Sequence, residues 1–231
     1  MTVSEIARLI DVSAVRADST LEEVGQSAEL ARRFGCAAVF ALPAHTPFLL
    51  ERLAGCGVIA GGVAGFPGGA ETTSVKAAAA RELVRMGCRE IDMVNNIAWL
   101  KAGRLELYQR DVSAVVDAAE GMPVKVILEC HWLTEEEIAR ACEWSADAGA
   151  SWVKTGTGWA PTGATLENVA LMKRAVGDRC GVKAAGGVRD LATLLAMYER
   201  GVRRFGIGCR TAQAILDAAK KDGLADCADR R

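Results

Sequence analysis

Three charged side chains stand in the sequence where a buried strand leaves little room for charge: Asp92 in EIDMVNN, Lys154 in SWVKTGTG and Lys183 in GVKAAGG. A parallel strand is covered on both faces, so a charge there is costly unless it is paired or used. Two lysines and an aspartate suit one chemistry well. An amine attacks a carbonyl only when neutral, and an ordinary lysine, with a pKa of about 10.4, is almost wholly protonated near pH 7. A second ammonium nearby and partial burial both favour the neutral form. A neighbouring carboxylate then carries protons between solvent and a carbinolamine or enamine. The functional reading is Schiff-base carbon–carbon bond chemistry. The structural alternative reads the same residues as ion pairs within the sheet, Asp92 with Lys183 or Lys125 with Glu129; Glu90 and Asn95 are further polar residues in these strands.

Glycines add a second site feature. Gly186-Gly187 follows Lys183, and Gly206 and Gly208 close the last strand pattern before a helix opening near Arg210-Thr211. Loops after the last two strands of a barrel, and the helix N-terminus beyond them, bind phosphate through backbone amides and the helix dipole. Arg210 and Arg189 can each add a guanidinium. The plainer reading is a tight turn flanked by solvated arginines.

These residues need a scaffold, and the sequence supplies an alternating one. Strand patterns at 36–42, 58–63, 90–95, 124–129, 151–155, 181–185 and 204–208, with a weaker one near 9–11, are separated by helical patterns. Thr20 with Glu23 and Thr134 with Glu137 read as capping boxes at helix starts. Gly35, Gly87, Gly121, Gly149 and Gly201 fall where helices should stop. Most strand-to-strand intervals are roughly 20–33 residues, the length of a βαβ unit. Eight such units predict one (β/α)₈ barrel (TIM barrel) of parallel strands over residues 1–231, although a doubly wound sheet shares the local pattern.

Composition narrows the function classes. The 231 residues carry 28 basic and 29 acidic side chains, a formal charge of −1, with 51% hydrophobic and 25% charged residues. That is globular composition without the basic excess of a dedicated nucleic-acid binder. No apolar run approaches a membrane span, and Glu5, Arg8 and Asp11 interrupt the N-terminus where a secretion signal would be apolar. The eight cysteines (Cys36, Cys56, Cys88, Cys130, Cys142, Cys180, Cys209 and Cys227) are dispersed, as buried hydrophobes of a reducing cytoplasm are. With only His45 and His131, no multi-histidine metal centre is expected.

The stretches EIDMVNNIAWLKAG (90–103), PVKVILE (123–129) with LTEEEI (133–138), VKTGTGWAPTGAT (153–165), GVKAAGGVRDL (181–191) and RFGIG (204–208) resemble, in this order, the deoxyribose-phosphate aldolase family. Weaker matches are LIDVS (9–13) and VAGFPGGAETTSVK (63–76). The resemblance implies a class I aldolase on a (β/α)₈ barrel. It would cleave 2-deoxy-D-ribose 5-phosphate reversibly to glyceraldehyde 3-phosphate and acetaldehyde, with no metal or organic cofactor. It further implies that Lys154 forms the Schiff base, Lys183 lowers its pKa and Asp92 relays protons with water. Asp11 and Thr155 join the substrate-binding set, and Gly186, Gly187, Gly208 and Cys209 form the phosphate region, to which the residue pattern, rather than the family, adds Arg210. A small phosphorylated sugar is the implied partner, with no nucleic acid or membrane, and a homo-oligomer, a dimer by analogy.

The sequence also departs from the family pattern. Gly208-Cys209 replaces a pair of small hydroxyl residues, Gly156 and Ala185 replace serines, and Phe40-Ala41-Leu42-Pro43 replaces Cys-Val-Asn-Pro. Val12 stands for a histidine, and His131 and Trp132 stand where smaller residues are usual. Trp159 is the tryptophan expected to line the pocket. The tail DCADRR has no tyrosine of the kind some members use. Intact lysine chemistry with altered substrate contacts follows, so a related Schiff-base lyase with a different donor or a differently decorated phosphorylated sugar is the alternative; a non-catalytic phosphosugar-binding barrel is a third.

Overall fold

The computed structural model describes residues 1–223; Cys227 and the DCADRR tail lie outside them. Among the described residues the β-branched runs form eight strands: β1 (Ile10–Ala14), β2 (Ala38–Ala41), β3 (Ile59–Ala64), β4 (Glu90–Val94), β5 (Val124–Ile127), β6 (Trp152–Lys154), β7 (Gly181–Ala185) and β8 (Arg204–Gly208). All pair in parallel and in chain order, and β8 closes on β1, which excludes the doubly wound alternative. Helix α1 (Val3–Ala7) precedes the barrel. The connecting helices are α2 (Leu21–Phe34), α3 (Thr46–Leu53), α4 (Thr73–Met86), α5 (Ile97–Lys101) with α6 (Leu105–Ala118), α7 (Glu135–Asp147), α8 (Leu166–Val176), α9 (Leu191–Glu199) and α10 (Cys209–Lys221).

Strand periodicity decides what faces the barrel axis. Val12, Ile91, Met93, Val126, Val153, Val182 and Phe205 join the apolar cluster shared with the helices. Their alternates, Asp11, Asp92, Lys125, Lys154, Lys183 and Arg204, point inward, because successive strand side chains take opposite faces. The apolar layer holds the barrel: a fully buried side chain such as Leu194 or Val112 contributes roughly 1.5–3 kcal/mol.

Helix ends follow the sequence signals with one correction. The box at Thr134 is complete, its hydroxyl accepting from Glu137 N at 3.2 Å and Glu137 Oε2 accepting from Thr134 N at 2.9 Å. At Thr20 the hydroxyl accepts from Glu23 N at 3.2 Å, but the Glu23 carboxylate lines a cavity at the barrel mouth instead of returning the bond. A third box, Thr2 with Glu5, caps α1 and had the same Thr-x-x-Glu spacing. The five glycines read as helix stops all have positive φ.

Candidate active site

Inside the barrel three carboxylates face four basic side chains. Lys154 Nζ lies 2.6 Å from Asp92 Oδ2, and Lys183 Nζ lies 2.8 Å from the same oxygen. The two amines are therefore neighbours across a single atom. Lys183 is also 2.6 Å from Asp11 Oδ2. Arg204 bridges Asp11 at 2.5 Å and Glu90 at 2.9 Å. Lys125 pairs with Glu90 and sits 3.5 Å from Asp92 Oδ1, so the Lys125–Glu129 pair considered from sequence does not form. The alternative Asp92–Lys183 pair does form, within this larger network. Phe40 floors the cluster, its ring centroid 4.2 Å from Lys183 Nζ and 4.7 Å from Lys125 Nζ. Gly61 makes room for that ring, since a Cβ there would come within 2.3 Å of it.

The network treats its two neighbouring lysines differently. Burial pushes the Lys154 pKa down; Asp92 pulls it up and the Lys183 ammonium pushes it down again, leaving it at about 8. For Lys183 burial acts the same way, but Asp11 and Asp92 together outweigh it and raise its pKa. Burial alone would raise Asp92, yet Lys154, Lys183 and Lys125 hold it well below the usual carboxylate range. Asp11 is lowered as well, burial being outweighed by Lys183, Lys125 and Arg204. One lysine is thus poised near neutrality and the other is held as a cation.

A cavity of about 560 Å³ opens where the strands end at their C-termini, and of the inner cluster only Lys154 lines it. Asp92 and Lys183 are fully buried beneath it. Asp11 is also fully buried and contacts Lys183 rather than the cavity. Thr155 is placed outside the cavity too: its hydroxyl donates to Ala185 O at 2.8 Å and accepts from Ala185 N at 2.9 Å, tying β6 to β7. Gly186, Gly187, Gly208, Cys209 and Arg210 come together along one wall with Arg189 and Thr211. Gly186 and Gly187 both have positive φ, 72° and 115°, and a Cβ on Gly187 would meet Ala164 O at 2.8 Å. Gly208 opens α10 with no side-chain cap, leaving the first helical amides at this wall. Those amides, the helix dipole and the exposed Arg210 make an anion-favouring end.

Trp159 lines the cavity as expected. Its indole Nε1 donates to Val15 O at 2.9 Å and its ring meets Phe66 edge-on at 5.9 Å. Sequence reasoning missed Thr157, which lines the cavity three residues after Lys154, and the support given by Phe40, Glu90 and Arg204. Thr157 was legible only as part of the Lys-Thr-Gly-Thr-Gly run; nothing local marked Phe40. Among the described residues no group of three or more His, Cys, Asp or Glu is arranged to hold a metal ion. No described helix is long and apolar enough to cross a membrane.

A closed parallel barrel with a polar cavity at the C-terminal ends of its strands has the architecture of a (β/α)₈ barrel enzyme. Comparison with known proteins narrows that class. Residues 10–217 match the DeoC/LacD family aldolase, and the chain belongs to that family; it is an aldolase, an aldehyde lyase. Deoxyribose-phosphate aldolase of Klebsiella pneumoniae subsp. pneumoniae is 48% identical over 218 residues, covering 93% of this chain and 88% of the relative. The enzyme of that name from Methanothermobacter thermautotrophicus is 47% identical, covering 94% and 96%. Among solved structures, the deoxyribose phosphate aldolase of Aeropyrum pernix, described as tetrameric, superposes with a TM-score of 0.85 at 28% identity, covering 95% of this chain and 92% of its own.

Proposed function

We propose that the chain, working as one barrel domain, cleaves 2-deoxy-D-ribose 5-phosphate to glyceraldehyde 3-phosphate and acetaldehyde, with Lys154 as the nucleophile. One observation carries the reading: Lys154 alone of the buried lysines reaches the cavity, with its pKa at about 8 beside a cation that stays charged. Neutral Lys154 adds to the aldehyde carbon of the open-chain sugar. Asp92 Oδ2, at 2.6 Å, takes the proton that the nitrogen sheds and returns it to the carbinolamine hydroxyl, which leaves as water. The resulting iminium draws in the electron pair of the carbon–carbon bond two atoms away as the adjacent hydroxyl loses its proton. Glyceraldehyde 3-phosphate departs, the enamine is protonated on carbon, and water releases acetaldehyde from Lys154. The Gly186-Gly187 turn, the amides of Gly208 and Cys209, and Arg210 hold the phosphate.

The absence of side-chain hydroxyls at Gly208-Cys209 supports a second reading, the same lysine chemistry on a differently decorated acceptor, because a Cβ at Gly208 would meet open space. The proposed setting is a reducing cytoplasm, supported by cysteines that are free thiols throughout the described residues and, for Cys36 and Cys130, pushed by burial up to about 12. A homo-oligomer is proposed on the precedent of the Aeropyrum pernix relative.

Borohydride reduction in the presence of acetaldehyde, followed by peptide mass mapping, tests the nucleophile. The adduct should sit on Lys154, and Lys154→Leu should lose both adduct and turnover while keeping its fold by circular dichroism. An unmodified Lys154 would end the proposal. In an acceptor panel with acetaldehyde as donor, faster turnover of another aldehyde than of glyceraldehyde 3-phosphate would select the second reading.

A further inference from the structure

One buried carboxyl side chain has no place in that mechanism. Glu129, just beyond β5, is 4% exposed and none of its salt-bridge-distance neighbours is a cation among the described residues. Both of its carboxylate oxygens face one residue: Thr157 N donates to Oε1 at 3.2 Å and to Oε2 at 3.3 Å, and Thr157 Oγ1 donates to Oε2. The Glu129 backbone is left-handed, with φ 58° and ψ 63°, a conformation that costs a non-glycine residue about 1–3 kcal/mol and persists only where its surroundings impose it. The other described non-glycine residue with positive φ, Glu120, lies in an exposed turn after α6. The loop is also shaped to the carboxylate, since a Cβ on Gly156 would sit 2.7 Å from Oε1.

We infer that Glu129 is a positioning residue that acts through Thr157, fixing the loop after Lys154 and turning the Thr157 hydroxyl into a pure acceptor toward the cavity. The argument is a count of one oxygen's bonds. A threonine hydroxyl has one proton and two lone pairs. Its proton goes to Glu129, and one lone pair accepts Trp159 N at 3.0 Å. A single lone pair remains on a residue that lines the cavity. Thr157 therefore receives a hydroxyl donor of the bound aldose and rejects a carbonyl or phosphate oxygen at that spot. Replacing Glu129 by glutamine reverses this, because the amide NH₂ donates to Oγ1 and frees the threonine proton to point inward.

The inference rests on the aldolase reading of Lys154, and the experiment separates the two. Acetaldehyde has no hydroxyl, so borohydride trapping on Lys154 tests the nucleophile alone, whereas cleavage of deoxyribose 5-phosphate tests the nucleophile and Thr157 together. Glu129→Gln should trap acetaldehyde within about threefold of the parent rate while kcat/KM for cleavage falls about 10- to 100-fold. Thr157→Val should show the same loss, Thr157→Ser should restore most of it, and the double variant Glu129→Gln/Thr157→Val should lose no more than either single one. Gly156→Ala, which displaces the carboxylate by contact, provides an independent variant with the same expected split. Additive losses in the double variant, or a loss of trapping equal to the loss of cleavage, would overturn the role of Glu129. Failure of the parent protein to trap would instead overturn the reading of Lys154.

Discussion

Strand β4 separates two buried ion networks that are built differently. On its outer side Lys76 of α4 and Asp111 of α6 form a closed pair, 2.7 Å apart and 0% and 1% exposed. The leftover groups are satisfied as well: Lys76 donates to Val94 O at 3.0 Å, and Asp111 Oδ1 accepts from Thr73 Oγ1 at 2.9 Å. On the inner side Asp11, Glu90 and Asp92 meet Lys125, Lys154, Lys183 and Arg204, so there is one more base than acid. In a low-dielectric interior an uncompensated charge is expensive, and the cation with the weakest carboxylate support gives it up first. Lys154 is that group: Asp92 alone pairs with it, whereas Lys183 is held by both Asp11 and Asp92. Matched buried charges fasten helices to a strand; a surplus cation leaves one amine with a pKa near neutrality.

The largest expected effect breaks the outer pair. Asp111→Ala leaves Lys76 buried without a counter-charge and should cost about 3–5 kcal/mol of stability, read from urea midpoints at constant m. Specific activity per folded molecule should stay within about twofold, because the inner network is untouched. A collapse of turnover at full folding would show the two networks to be coupled through β4 and would break the distinction.

The same kind of substitution inside the barrel should act on titration. Lys183→Met removes the cation that lowers Lys154 and also frees Asp92 to pull harder on it. Both changes favour protonated Lys154, so its pKa rises from about 8 and the acid limb of the kcat/KM profile moves to higher pH. A rise of about one unit, or about 1.4 kcal/mol, lowers the neutral fraction at pH 7 roughly tenfold. Mutant activity should recover as pH increases toward 9. An acid limb that stays in place would mean that burial alone sets the nucleophile.

The contrast between the networks also explains how much could be read in advance. Strand positions were legible because period-two apolar residues such as Val12, Ile91, Val153 and Val182 must face the helices, which left Asp92, Lys154 and Lys183 conspicuous on the other face. Barrel closure was not local information; it depends on the pairing of Asp11 with Gly206 across the whole chain. For the same reason Lys125 could not be assigned to Glu90 rather than Glu129, its neighbours being set by register between β4 and β5. Thr155 stood next to Lys154 in sequence but its side chain turns toward β7, whereas Thr157, two residues on, faces the cavity. Within a strand adjacent residues diverge, and in the following loop only the fold decides where they point.

The smallest effect lies at the surface, where solvent replaces the low-dielectric interior. Arg210 is exposed on the first turn of α10, at the cavity wall that carries Gly208 and Cys209. Unlike the lysines inside the barrel, its charge is hydrated before and after a phosphate arrives, so an ion pair there is worth on the order of 1 kcal/mol or less. Arg210→Ala should therefore raise KM for the phosphorylated sugar about three- to fivefold, leave kcat nearly unchanged and spare a dephosphorylated substrate. Raising ionic strength from 0.01 M to 1 M shortens the Debye length from about 30 Å to about 3 Å, so the difference between parent and variant should shrink with salt. The Lys183→Met shift should persist under the same salt series, because that cation is sealed from counter-ions. Equal losses on both substrates would remove Arg210 from anion binding, and a salt-sensitive Lys183 shift would show that water reaches the inner network.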